Sequence, residues 1–292
     1  MELTLTTRDL LAALDRLAPF ALAESWDNVG LMVGAPDHAI GGILVGLDPT
    51  ESLLDEALHL GADTIITHHP LLFKPAKTIR TDQPLGRTLA KALRHDINII
   101  ACHTNLDVIA QGVSDILAQR LGLADCQPVE TTSAADHDLG FGRIGTLNPS
   151  LAGTHLLAKL CQILHCPILL VAGPVPAVVS RVAVCGGSGS ELAEKALALG
   201  AQVYVSAEIK HSTARWAEMA GLCLIDAGHF ATENLITNAF AHRVAETLTT
   251  AGQHVPVHAT TTLQPPFTVH CQAGGCRILP EIIQPSPIEA GH

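Results

Sequence analysis

Three short stretches carry residue types that could act together on a metal ion: the adjacent pair His68-His69, His103-x-x-x-Asp107, and His229-x-x-x-Glu233. A four-residue offset puts imidazole and carboxylate on one face once the chain turns helical, so both heads can converge on one point. A single His-x-x-x-acid pair is ordinarily a solvated feature of a helix surface. Two of them beside a His pair offer four imidazoles and two carboxylates. One zinc ion takes about four ligands, whereas six with carboxylates able to bridge suit two metals about 3.5–4 Å apart. Mixed nitrogen and oxygen ligation without thiolate favours Zn²⁺, Mn²⁺ or Fe²⁺. Such a centre would lower the pKa of a shared water and polarise a carbonyl, ring carbon or phosphoryl group for hydrolysis.

The segments before these stretches show how they are positioned. GADTII (61–66) reads as a loop and buried strand that delivers His68-His69, with Pro70 blocking its continuation. IIACH (99–103) and LIDAGH (224–229) are apolar strands that end on a histidine. Predicted helices near 51–60, 86–95 and 113–121 alternate with these strands. The pattern predicts an α/β fold: two intertwined, duplicated lobes with largely parallel or mixed sheets flanked by helices. Ligands in such sheets bind beyond the carboxyl ends of the strands, and His68, His69, His103 and His229 all occupy such ends. The site is therefore expected between the lobes.

The chain also repeats itself. LVGLDPTESLLDEALHLGADTIITHH (44–69) aligns without a gap on AVCGGSGSELAEKALALGAQVYVSAE (183–208), matching Leu53 with Leu192, Ala57 with Ala196 and Gly61 with Gly200. The positions opposite His68 and His69 are Ala207 and Glu208. One asymmetric dimetal site is therefore expected, with two divalent ions per chain. The expected units are a first repeat over 1–126, a second over 127–263 and a partly ordered tail over 264–292. The strand and helix near 224–250 are expected to pack with the first lobe.

Composition narrows the function. In 292 residues, 17 basic against 28 acidic side chains give a net charge of −11, with no basic run of the kind that binds nucleic acid or an anionic membrane. Aromatics are only 3%, so the core must be aliphatic and alanine-rich. The eight cysteines are scattered without a CxxC pair, and most read as small buried hydrophobes in a reducing cytoplasm. The N-terminal stretch reads as an amphipathic helix capped near Thr6 or Thr7, not as a signal peptide. No apolar run is long enough to span a bilayer.

Smaller candidates surround the site. Lys74, Lys77 and Arg80 follow the His pair and could meet a substrate phosphate, Lys74 first among them. Gly186-Gly187-Ser188-Gly189 reads as a tight turn, with anion binding as the alternative. Trp26 and Asn28 are candidates to line the pocket, and Glu208 and His211 are candidate proton carriers without a spacing argument.

Four motifs, SWDNVGLMVG (25–34), THHPLLFK (67–74), HTNLD (103–107) and GHFATE (228–233), resemble the dinuclear metal-centre proteins known as GTP cyclohydrolase I type 2 homologues, also called NGG-interacting-factor-three-like proteins. The resemblance covers about residues 1–250. It implies the same six metal ligands, a toroidal homohexamer with metal sites facing an internal cavity, and hydrolytic opening of a purine imidazole ring with release of formate. A metal-dependent phosphoesterase, or a non-catalytic metal-binding regulatory scaffold, would need the same centre. The chain departs from the family where Ser206-Ala207-Glu208 replaces a glycine-containing turn, and in its cysteine-containing tail.

Overall fold

The computed structural model describes residues 4–132 and 138–269. Cys271, Cys276 and most of the expected tail lie outside them. The first half runs through α1 (Thr7–Leu17), β1 (Gly30–Val33), β2 (Ile43–Gly46), α2 (Glu51–Leu60), β3 (Thr64–Thr67), α3 (Pro84–Arg94), β4 (Asn98–Ala101), α4 (Thr104–Val108), α5 (Val113–Leu121) and β5 (Leu123–Thr131). The second half follows as β6 (Gly140–Leu151), α6 (Gly153–Ile163), β7 (Leu170–Ala172), β8 (Val179–Ser188), α7 (Ala193–Ala198), β9 (Val203–Ala207), α8 (His211–Ala220), β10 (Cys223–Asp226), α9 (His229–Glu233), α10 (Leu235–Thr250) and β11 (Val257–Ala259).

Local chemistry sets the element ends. Thr6 caps α1 in a reciprocal box with Asp9, satisfying donors that a helix start leaves free. Thr50 caps α2, and Gly61 closes it in the left-handed region at φ +70°. Strands β2, β3 and β4 are buried at every position, as parallel strands covered on both faces must be.

The duplication is visible in the topology. One sheet has the order β1-β4-β3-β2-β11 and the other β5-β6-β8-β9-β10-β7. Each contains a parallel trio, β2-β3-β4 or β8-β9-β10. Each trio carries an antiparallel edge strand on its third member, β1 on β4 and β7 on β10. The long antiparallel pair β5–β6 and the short β11, parallel to β2, are additions that the sequence pattern does not announce.

The two halves exchange helices. Leu117, Ala118 and Leu121 of α5 pack with Val182, Val184, Val203 and Val205 of the second sheet. Ile236, Phe240, Val244 and Leu248 of α10 pack with Leu10, Leu14, Ile43, Val45 and Ile66 of the first lobe. Of the segment near 224–250, the helix thus lies on the first lobe, while strand β10 stays paired in the second sheet. Each exchanged helix leaves just after a short helix, α4 or α9. The seam between the lobes therefore runs past His103–Asp107 and His229–Glu233.

Candidate metal centre

Strand β3 delivers His68 and His69 with little freedom. The ladder continues past its end: the His68 and His69 amides donate to Gly46 and Leu47 at 3.2 and 2.9 Å, and the Thr67 hydroxyl donates to the His69 carbonyl at 2.7 Å. At the end of β4, Asn105 accepts from the His103 amide and donates to the Ala18 carbonyl, so α4 begins at a fixed angle and presents Asp107 one turn on. At the end of β10, Gly228 takes φ +84° and Thr232 donates its hydroxyl toward the Gly228 and His229 carbonyls. This holds Glu233 under His229.

All six residues meet. The imidazole centroids of His68 lie 5.0 Å from His69 and 5.1 Å from His103, and His69 lies 5.2 Å from His229. His68 Nε2 is 3.6 Å from Asp107 Oδ1 and 3.8 Å from Glu233 Oε1. Glu233 Oε2 lies 3.0 Å from His69 Nε2 and 2.9 Å from His229 Nε2. Two groups have ligand atoms close enough to share an ion: His68, His69 and His103; and His69, His229 and Glu233.

The outer nitrogens are all occupied by acceptors. His68 Nδ1 bonds to the Cys102 carbonyl at 2.9 Å, His69 Nδ1 to Asp48 at 2.7 Å, His103 Nδ1 to Asp27 at 2.8 Å and His229 Nδ1 to Glu208 at 2.9 Å. An acceptor at Nδ1 requires a hydrogen there, so in the neutral ring each Nε2 turns a lone pair inward. Metal-bound histidines are characteristically held this way from behind. His68 Nε2 and Glu233 Oε2 are buried without a hydrogen-bond partner, a costly condition that a cation would relieve. The residues fit divalent metal.

The electrostatics agree. Burial opposes charge on His68 and His69, but the surrounding carboxylates prevail: Asp107 and Glu233 raise His68, and Asp48 and Glu233 raise His69 to about 10. His229 is raised chiefly by the Glu233 carboxylate beside it. Burial works against ionised Glu233, yet His229, His68 and His69 hold it well below the usual carboxylate range. Burial lifts Asp107, with the neighbouring imidazoles opposing. It also pushes the Cys102 and Cys185 thiols up to about 12, so neither offers a thiolate at neutral pH.

A cavity of about 620 Å³ opens beside the site, lined among others by Trp26, Phe73, Thr104, Phe141, Gly186 and Ser188. Trp26 packs edge-on against Phe73 and His103, with centroids 5.9 and 6.4 Å away. Asn28 has another task, donating to the Leu72 carbonyl and tying the two rim loops together. Lys74, Lys77 and Arg80 are exposed and outside this lining, and Arg80 pairs with Asp82. His211 is exposed at the start of α8.

The glycine run at 186–189 makes room for the site. A Cβ on Gly187 would stand 1.9 Å from Glu233 Oε1. Sequence reasoning missed the supporting acids Asp27 and Asp48 and gave Glu208 no partner. Asp48 had a usable signal: it follows β2, whose parallel neighbour β3 ends on the His pair.

Comparison with known proteins places the chain in a family and matches its fold to solved structures. The family model described as Duf34/NIF3 (NGG1p interacting factor 3) matches residues 5–266. A Streptomyces coelicolor protein named "GTP cyclohydrolase 1 type 2 homolog" is 35% identical over 90% of this chain and 93% of its own. The crystal structure of a Staphylococcus aureus hypothetical protein superposes with a TM-score of 0.87 at 29% identity, covering 91% of this chain and all of that one. A Bacillus cereus protein related to NIF3 shares the fold, with a TM-score of 0.88 at 24% identity over 92% of this chain and 100% of its own.

Proposed function

Because the chain belongs to the DUF34/NIF3 family, we propose that it is a metal-dependent hydrolase built on a pair of divalent cations. One observation carries the reading. Four imidazoles are pinned from behind by acceptors, and they aim their free nitrogens at two buried carboxylates where His68 Nε2 and Glu233 Oε2 lack partners. His69 has one free lone pair and so serves one cation: His69, His229 and Glu233 would hold one, and His68 and His103, with Asp107 beside His68, the other. Zn²⁺, Fe²⁺ and Mn²⁺ suit this donor set. When bound, the pair supplies Lewis acidity for a substrate carbonyl, ring carbon or phosphoryl group and lowers the pKa of water.

The chain's own residues do the rest. Trp26 and Phe73 offer aromatic surface at the cavity beside His103. Ser114, Thr131 and Ser188 offer hydroxyls along its wall. Opening of a purine imidazole ring with loss of formate is the specific reaction that the relatives' name and the motif resemblance support. We extend the proposal to a toroidal homohexamer, to be checked by light scattering on the purified protein.

The test reconstitutes purified protein with Zn²⁺, Mn²⁺ or Fe²⁺ and counts ions by elemental analysis. It then assays GTP and a phosphoester panel beside His69→Ala. Turnover abolished in the variant supports the hydrolase. Turnover of phosphoesters alone reassigns it as a phosphoesterase. Full metal loading without turnover of anything favours a metal-binding regulatory scaffold.

A further inference from the structure

Behind the metal ligands lies a five-bond clasp built on Asp27. Its carboxylate side chain is fully buried. One oxygen, Oδ1, accepts from His103 Nδ1 and from the Asn28 backbone N–H, both at 2.8 Å. The other, Oδ2, accepts twice from Thr104, from its backbone N–H at 3.1 Å and its hydroxyl at 2.6 Å. The Thr104 hydroxyl oxygen in turn accepts from the Glu24 amide at 2.9 Å. That bond commits the hydroxyl hydrogen to Asp27.

We propose that Asp27 is the positioning residue that makes His103 a ligand, by fixing its imidazole in the tautomer whose Nε2 is free. This rests on the metal-centre reading above. A carboxylate only accepts, so Nδ1 must carry the hydrogen and Nε2 the lone pair. The direction of Asp27 is set in turn by Thr104, whose two donors fix which oxygen faces which way.

The clasp makes a sharp forecast for the isosteric amide. Asparagine has one acceptor oxygen and one NH₂ donor. In Asp27→Asn the oxygen stays on Thr104, where two donors point: the reversed amide would set NH₂ against the N–H of buried Thr104, whereas this orientation sets it only against the N–H of Asn28, which is exposed and can turn to water. The NH₂ then faces His103 Nδ1, which has to accept. The ring hydrogen moves to Nε2, and His103 can no longer ligate. Glu208 provides the control. It stands in the same relation to His229 at 2.9 Å, but its side chain is 60% exposed and no second donor fixes its orientation. In Glu208→Gln the amide can turn its oxygen to Nδ1 and keep the ligating tautomer.

The experiment measures Co²⁺ and Zn²⁺ binding by equilibrium dialysis and Co²⁺ visible absorption for wild type, Asp27→Asn and Glu208→Gln, with melting in chelator as a folding check. Asp27→Asn should weaken binding of the cation at His68 and His103 by roughly 10–100-fold and alter the Co²⁺ spectrum. Glu208→Gln should stay within about threefold, well short of the usual loss of such a partner. Wild-type-like binding in Asp27→Asn, or equal losses in both variants, overturns the proposal. Should Asp27→Asn not fold, ¹⁵N NMR of the metal-free wild-type imidazoles decides: neutral His103 must show the Nδ1–H form, and the Nε2–H form overturns the assignment. Wild type that binds neither cation sinks the metal centre, while the NMR result still judges the clasp.

Discussion

His69 and His229 stand 160 residues apart in the chain and face each other with Nε2 atoms 3.3 Å apart. Each has given its Nδ1 to a carboxylate, Asp48 or Glu208. Two lone pairs at that distance repel, and Glu233 Oε2 beside them adds a third. Something positive must sit there. The Asp48 and Glu233 carboxylates raise His69 to about 10 against burial, so in the metal-free chain a proton meets that need; a divalent cation would take the proton's place.

That exchange predicts a pH dependence. The folded value of His69 lies above its ordinary 6.5, so its contribution to metal-free stability is full below 6.5 and is lost as pH rises toward about 10. Melting in chelator should therefore fall over that interval, and bound metal should remove most of the trend. At neutral pH, cation uptake should release protons. Calorimetric titration in buffers of different ionisation enthalpy reads this directly, and heats independent of the buffer would refute the exchange.

Gly187 gives a second prediction. It sits at φ +66°, and a Cβ there would lie 1.9 Å from Glu233 Oε1 and 3.3 Å from His229 Nε2. Gly187→Ala should displace Glu233 and weaken the cation held by His69, His229 and Glu233 by at least roughly tenfold, comparable to losing a supporting partner. Gly221→Ala is the control. It also has positive φ, +77°, but nothing lies within 4 Å of its added methyl. It should cost about 1–2 kcal/mol of stability and leave metal binding intact. Equal metal loss in both variants would show general unfolding instead.

The six inward-facing residues were legible because strand ends are. An apolar run stopped by histidine, followed by a carboxylate four residues on, is a local signal, and the repeat supplied the second copy. The residues behind them were not. Asp27 reaches His103 across 76 positions from a loop with no periodicity, so its role exists only once the lobes are assembled. The β5–β6 pair was hidden for another reason: β5 is exposed through its first half and has an irregular register, so it shows no alternation. The helix exchange was least legible of all. The apolar faces of α5 and α10 could cover either sheet, and aliphatic side chains do not name their partners.

Lys74 tests the reach of the sequence motif. It follows the His pair closely, but it is exposed and outside the cavity lining, where its neighbour Phe73 is found. Lys74→Ala should leave kcat and KM for an accepted substrate within about twofold, as for a screened surface charge. Trp26→Ala should raise KM several-fold by removing an aromatic contact of about 0.5–1.5 kcal/mol. A tenfold rise in KM in Lys74→Ala would restore it as a phosphate ligand.

The exchanged helices predict that the lobes unfold together. Phe240 belongs to the second half of the chain, yet it is 2% exposed in the core of the first lobe with Leu10, Leu14 and Ile43. Phe240→Ala should cost about 3–5 kcal/mol. The chain's two tryptophans report the two sides separately: Trp26 stands by Phe73 and His103, and Trp216 packs on the second-lobe core around Tyr204 and Leu224. In single-tryptophan versions made with Trp26→Phe or Trp216→Phe, the Phe240→Ala change should move both denaturation curves by the same amount. Helix α5 ties the second sheet to the seam just as α10 ties the first. A shift confined to the Trp26 signal would mean that the lobes melt independently and that the exchange couples them only in geometry.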